Sequence, residues 1–329
     1  MIFKKNKTFI VAEIGNNHEG KISNAFKLID SACRAKVDAV KFQTFKTNNF
    51  LSSSLSNELL EKYRKFELTY EEFYKIYLYC KKKKIIFFST PLDVKSAIFL
   101  NKFQEIFKIS SGDNTNFDLI NVIKKFNKPI ILSSGMLNAN ELKIIVKKIR
   151  TNWIKNKNYL AVLQCTTSYP VIDQDVNLAV IQDFKKKFNN ELIGYSDHTI
   201  GVDAAIFAAA FGANIVEKHF TIKKNFSTFR DHQLSADENE MKTLVEKIRK
   251  IEVLRGIPEK KILKTEKKFI KIARRSYCIN KNKLKGSRIS KDDLILLRPG
   301  SGITKKKEVL NKILKKNIKS GEILNKEFI

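Results

Sequence analysis

Lys41 and Gln43 stand two residues apart in V-K-F-Q-T, and Lys108 sits in K-I-S-S-G-D. A lysine inside an apolar, β-branched run has few inert uses, because a charge facing inward must be paired or bound by a ligand. Hydroxyls gather at the ends of similar runs: Ser89 and Thr90 in S-T-P, Ser110 and Ser111 ahead of Asp113, Ser133 and Ser134 in S-S-G, and Q-C-T-T-S-Y-P from Gln164 to Pro170. Lysines converging with small hydroxyls suit a phosphate and a carboxylate, so an anionic substrate is expected. The chain has four histidines. His198 (S-D-H-T, after Ser196) and His219 (E-K-H-F) close two successive runs, with Asp197 and Glu217 beside them. Two neutral imidazoles on neighbouring strand ends can hold a divalent metal and leave positions open for water and substrate. His18, in E-I-G-N-N-H-E-G with Glu13, Asn16, Asn17 and Glu19, and His232, in R-D-H with Asp231, are expected to hydrogen-bond to substrate or neighbouring loops. Asp197 has a second role open to it, as the cap of the next helix, and Cys165 reads as a packing residue.

Short β-branched runs position these groups: Phe9 to Gly15, Ala39 to Phe45, Ile85 to Pro91, Phe107 to Asp113, Pro129 to Gly135, Tyr159 to Thr166, Leu192 to Asp197 and Asn214 to Thr221. Between them lies helical spacing, as in Ala25, Leu28, Ile29 and Ala32, or Leu142, Ile145, Val146 and Ile149. Strict alternation of strand and helix predicts an α/β protein with a parallel sheet. Eight repeats predict closure into a (β/α)8 TIM barrel, with its site at the carboxyl ends of the strands. A doubly wound open sheet is the alternative, but no G-x-G-x-x-G turn follows the first strand. The connection Lys46 to Lys84 is long, carries the tract Ser52 to Ser54, and is expected to form two helices that help build or cover the site. The barrel is assigned to 1–255, a lysine-rich linker to 256–275 and a compact tail to 276–329, too small for a core of its own unless it leans on something else.

A net charge of +29 raises the possibility of a nucleic-acid partner. The excess is lysine, however, with ten arginines against 53 lysines, scattered through helices and linkers. Arg-rich base-reading elements and aromatic stacking motifs are missing, so no nucleic acid is expected as partner. No apolar run approaches the roughly 20 residues of a membrane span, and M-I-F-K-K-N-K-T-F lacks a signal-peptide core. A cytoplasmic protein without a membrane partner is expected. Cys33, Cys80, Cys165 and Cys278 lie far apart and read as reduced, mostly buried thiols.

Taken together, E-I-G-x-N-H-E-G, K-F-Q-T, F-S-T-P, K-I-x-S-G-D, I-L-S-S-G-M, Q-C-T-x-x-Y-P, G-Y-S-D-H-T, E-K-H-F-T and the tail's R-P-G-S-G resemble the sialic acid synthase family from Phe9 to the C-terminus. The resemblance implies condensation of phosphoenolpyruvate with an N-acetylmannosamine-type sugar to a nine-carbon 2-keto acid and phosphate. The cofactor it implies is a divalent metal, manganese in the first place, with magnesium or cobalt as alternatives. It further implies that the tail is an antifreeze-like (SAF) domain covering the partner's barrel mouth in a domain-swapped homodimer. By motif, His198 and His219 match metal ligands and Glu19 a catalytic carboxylate. Lys41, Thr90, Lys108, Ser111 and Ser133 match positions that hold phosphoenolpyruvate, Gln43, Asp113, Tyr169 and Asp231 match sugar-side or metal-side contacts, and Arg298 matches the residue given by the partner chain.

Ser110 stands where a glycine is common, Asp113 where some members have Glu, Leu92 where Phe is usual, and F-R-D replaces G-P-D before His232. These departures bear on sugar specificity. Legionaminate and pseudaminate synthases, acting on 2,4-diacetamido-6-deoxy sugars, are the alternatives within the family, and a non-catalytic sugar- or phosphate-binding barrel is the alternative outside it. In the expected mechanism the lysines and strand-end hydroxyls neutralise phosphoenolpyruvate, the metal polarises the aldehyde, and Glu19 moves a proton to or from the attacking water.

Overall fold

The computed structural model describes residues 2–4, 6–151 and 160–329. The chain divides into two compact units, Met1–Gly256 and Ile257–Ile329.

Eight strands make up the first unit's sheet: β1 Phe9–Gly15, β2 Ala39–Thr44, β3 Ile86–Pro91, β4 Phe107–Ile109, β5 Ile130–Ser133, β6 Leu160–Cys165, β7 Leu192–Asp197 and β8 Ile215–His219. They run parallel in the order β3-β2-β1-β8-β7-β6-β5-β4. At the seam β3 and β4 pack together without a ladder among the described residues. The sheet thus closes on itself as the expected (β/α)8 barrel. The expected strands match within a residue or two except β4. Its chain leaves the sheet after Ile109 for a 3-10 turn, Ser111–Asp113, in which Ser110 Oγ donates to Asp113 Oδ2 at 2.8 Å. Tyr159, expected to open the sixth strand, lies outside the described residues.

Period-two alternation divides each strand between two environments. Ile10, Ala12 and Ile14 of β1 join the apolar faces of the surrounding helices, including Ala25, Leu28, Ile29 and Ala32 from Ile22–Arg34. Phe9 and Val11 instead cluster with Ala39, Phe88, Ile131, Ala161, Leu163 and Ile215 inside the barrel. This interior is tight at Gly194, where a Cβ would collide with Leu163 Cδ2 and stand 2.6 Å from Ile215 O. The same alternation carried towards the carboxyl ends puts Glu13, Lys41, Gln43, Thr90, Lys108, Ser133, Cys165, Ser196, His198, Glu217 and His219 above that apolar floor. Parity places these strand residues, while the turns after the strands place Ser111, Asp113 and Tyr169.

The long second connection holds three helices rather than two: Thr47–Phe50, Asn57–Phe66 and Tyr70–Lys83. Ser56 accepts from Leu59 N at the start of the second. Thr69 and Glu72 form a reciprocal capping box at the start of the third.

In the second unit, β9 Ser276–Ile279 pairs antiparallel with β10 Leu294–Leu297. Contrary to expectation the unit has its own core, built from Ile279, Ile289, Ile303, Val309, Leu314, Ile318 and Leu324. The buried Asp293 carboxylate ties its turns together, meeting Lys283 Nζ and accepting from Ser290 N and Oγ at 2.8 Å each. The segment 256–275, expected as a linker, contains the helix Lys264–Ala273.

Candidate active site

The carboxyl ends of the strands enclose an inner cavity of about 300 Å³ and an outer one of about 370 Å³. The two meet at Gln43, Phe50, Leu92, Tyr169 and His219. Lys41, Gln43, Thr90, Lys108, Ser111, Asp113, Ser133, Tyr169, Ser196, His198 and His219 all line the inner one, and Asp231 lines the outer one. Glu19 lines neither, and Arg298 belongs to the second unit. Gly135 permits this convergence, since a Cβ there would run into Thr167 Oγ1 and stand 2.5 Å from Ser111 Oγ.

At the base of the inner cavity two buried lysines interleave with two buried carboxylates. Lys41 Nζ lies 2.8 Å from Glu13 Oε1 and 3.5 Å from Glu217 Oε1, and Lys108 Nζ lies 3.0 Å from Glu217 Oε1. Lys41 also donates to Thr90 Oγ1 at 3.1 Å, and Ser196 Oγ to Glu217 Oε1 at 3.1 Å. The groups differ electrostatically. Burial pushes Glu217 up, but Lys108 and Lys41 outweigh it and hold its pKa below the ordinary carboxylate value. Burial wins at Glu13, whose pKa stays raised despite Lys41. Burial lowers Lys108 more than Glu217 restores it, whereas Glu13 and Glu217 together overcome burial at Lys41 and raise it.

Three buried polar atoms here, Glu13 Oε2, Ser133 Oγ and His219 Nδ1, have no hydrogen-bond partner among the described residues. Buried polar groups are seldom left so, and unpaired ones concentrate where a ligand completes the set.

The His198 and His219 rings lie 5.5 Å apart between centroids. His198 Nδ1 is held 2.9 Å from Thr166 O, which leaves Nε2 to act as a ligand. Burial, then His198 and Lys41, drive His219 well below the ordinary histidine value, so its imidazole is neutral. At His198 burial works in the same direction but is outweighed by Cys165 and the Thr166 carbonyl. No third His, Cys, Asp or Glu groups with them as a metal cluster among the described residues. The nitrogens that would hold an ion here are the unpaired His219 Nδ1 and His198 Nε2. The Tyr169 ring lies tilted by 31° against His198 at 4.3 Å between centroids, and the Arg230 guanidinium covers the Tyr169 ring at 4.7 Å.

Glu19 turns to the rim, where it accepts from Ser227 Oγ and lies 3.2 Å from His232 Nε2. His232 Nδ1 meets Thr221 Oγ1 at 2.6 Å, and His18 Nδ1 accepts from Gly20 N at 3.0 Å. These two histidines thus serve neighbouring loops. Asp197 neither caps a helix nor faces the cavities. It points outward to Lys218 Nζ at 2.9 Å, because its parity is opposite to that of His198. Cys165 is more than packing, since it lines the inner cavity 3.5 Å from Ser111 Oγ.

Glu13 and Glu217 were legible as rim carboxylates but not as members of this network. Their parity with Val11 and His219 was the available signal. The outer cavity's Phe50, Leu59, Tyr63 and Phe66 carried no motif, whereas Phe229 and Arg230 belong to the F-R-D departure before His232.

A model of the NeuB family matches residues 28–260, and one of the SAF domain matches residues 285–329. The N,N'-diacetyllegionaminic acid synthase of Campylobacter jejuni is 39% identical over 97% of this chain and 99% of its own length. The N-acetylneuraminate-9-phosphate synthase of Homo sapiens is 31% identical over 78% of this chain and 74% of its own. Among solved structures, the N-acetylneuraminic acid (sialic acid) synthetase of Leptospira borgpetersenii, in complex with citrate, superposes with a TM-score of 0.75 at 32% identity, covering 80% of this chain and 90% of that one. The family read from the strand-end motifs is thereby confirmed: this chain belongs to the NeuB family and ends in a SAF domain.

Proposed function

We propose that the protein is a nonulosonic acid synthase that joins phosphoenolpyruvate to an N-acetylated amino sugar, giving a nine-carbon 2-keto acid and phosphate. The observation that carries this reading is the inner cavity's pair of buried lysines beside hydroxyls, with Ser133 Oγ, Glu13 Oε2 and His219 Nδ1 unpaired. Lys41 and Lys108 neutralise the carboxylate and phosphate, with Thr90, Ser111 and Ser133 as hydroxyl donors. His198 and His219 would hold a divalent metal, manganese in this reading, which when bound supplies a Lewis acid for the aldehyde oxygen.

Glu13 replaces Glu19 as the proton carrier. It lines the inner cavity, one oxygen is free, and burial raises its pKa, as suits a group that must hold and release a proton. Glu19 faces the rim. Carbon–carbon bond formation joins C3 of phosphoenolpyruvate to the aldehyde carbon. Water adds at C2, and the tetrahedral intermediate then loses phosphate.

For the acceptor, the outer cavity favours a 2,4-diacetamido-6-deoxy sugar over N-acetylmannosamine. Phe50, Leu59, Tyr63, Phe66 and Phe229 line it beside the polar Asn16, Gln43, Lys62, Arg230 and Asp231, and the aromatic members suit methyl and acetamido groups. The similarity to the Campylobacter jejuni enzyme points the same way. Phosphate release from phosphoenolpyruvate with manganese, run in parallel against N-acetylmannosamine and the 2,4-diacetamido sugars, tests both points. Release with the diacetamido sugar in preference is expected, and no release with any acceptor would overturn the enzyme reading.

A further inference from the structure

We infer that the ion pair between Asp197 and Lys218, on the outer face of the barrel, is the device that orients the two imidazoles at its mouth. This rests on the reading of His198 and His219 as metal ligands. Asp197 and Lys218 are register partners across β7 and β8, each one residue before a histidine of opposite parity. Both side chains are fully buried, and neither residue lines a cavity. A pair so placed touches no substrate.

It does grip the backbone immediately after His198. Asp197 Oδ1 accepts from Thr199 N at 3.0 Å and from the Tyr195 hydroxyl at 3.1 Å, while Lys218 Nζ donates to Thr199 O. The carboxylate and the ammonium thus hold one residue, Thr199, by both its N–H and its C=O. The direction in which the chain leaves β7 is set relative to β8, and with it the direction of the His198 ring relative to His219. A buried ion pair is weak evidence of stabilisation, since well-packed apolar groups of similar volume often do as well. Its use in fixing one arrangement is the better account here, because the bonds converge on the residue after a ligand. Partners behind a ligating histidine commonly change metal affinity by 10–100-fold.

The experiment measures Mn²⁺ binding to the full chain by electron paramagnetic resonance, alongside the thermal midpoint. Wild type is expected to bind Mn²⁺ and His198→Ala to lose it. No binding by wild type would remove the metal reading and this inference with it. The double variant Asp197→Asn/Lys218→Met keeps side-chain volume and leaves no unpaired charge. It is expected to fold and to bind Mn²⁺ roughly 10–100-fold more weakly, with the manganese dependence of turnover displaced to match and KM for phosphoenolpyruvate unchanged. A lowered midpoint with wild-type Mn²⁺ affinity would show a purely structural pair and overturn the inference. Should the double variant not fold, Tyr195→Phe decides. It removes one bond to Asp197 without unpairing a charge, and about tenfold weaker binding is expected, with unchanged affinity overturning the inference.

Discussion

Lys41 Nζ and Glu13 Oε1 lie 2.8 Å apart with both side chains buried. The pair sits between an apolar floor and the cavity, where Lys41 neutralises protein charge and, in the proposed reading, offers a cation to a ligand.

Lys41→Met therefore has two expected effects. Breaking a buried pair from one side costs about 3–5 kcal/mol, read as a lowered midpoint in chemical unfolding. Loss of a donor to the anionic substrate lowers turnover by roughly 10²–10³. In Glu13→Gln/Lys41→Met the stability recovers. Wild-type turnover in Lys41→Met itself would remove Lys41 from the chemistry.

Glu13→Gln and Glu19→Gln separate the two carboxylates. Turnover of Glu13→Gln is expected to fall by roughly 10²–10⁴, the usual worth of a general acid–base group, while Glu19→Gln stays within a few-fold of wild type. Steady-state kinetics with phosphoenolpyruvate checks both, and the reverse order would return the role to Glu19.

Arg230 covers the Tyr169 ring at the outer cavity and meets Asp231 Oδ1 at 3.4 Å. Arg230→Ala should raise KM for the sugar by about tenfold, the effect of one lost interaction worth about 1.4 kcal/mol, with KM for phosphoenolpyruvate unchanged. An equal rise in both constants would mean a general disturbance of the mouth.

Acid should loosen the second unit through Asp293. Burial raises its carboxyl, but Lys283, Ser290 and Lys281 outweigh it and hold the folded-state pKa far below the ordinary value of about 3.9. A carboxyl depressed in this way contributes stability that is present above the unfolded-state value and lost as pH falls through the folded-state value. Asp293→Asn is expected to unfold at a lower temperature than wild type at pH 7, and the gap should close towards pH 2. Calorimetry across that range decides, and a gap independent of pH would contradict the assignment.

The sequence carried much of this site because period two is a strict rule. Lys41 and Gln43 on one face, and His198 and His219 at successive strand ends, needed no tertiary information. Applied one residue further, the rule also places Glu13 with Val11 and turns Asp197 away from His198. Glu19 lies at the rim, lining neither cavity, because its position follows from loop geometry, which neither periodicity nor motif order fixes. The aromatic wall of the outer cavity was hidden for a related reason. Phe50, Tyr63 and Phe66 come from a connection whose helices are locally encoded by Ser56 and Thr69, but whose placement depends on packing. The second unit's core escaped notice because its apolar residues are spread singly through turns, without a helical or strand period.

The floor of Phe9, Val11, Phe88, Ile131, Leu163 and Ile215 makes the barrel a vessel with one opening. The inner and outer cavities share Gln43, Phe50, Leu92, Tyr169 and His219, so one set of five side chains would face the guests of both at once.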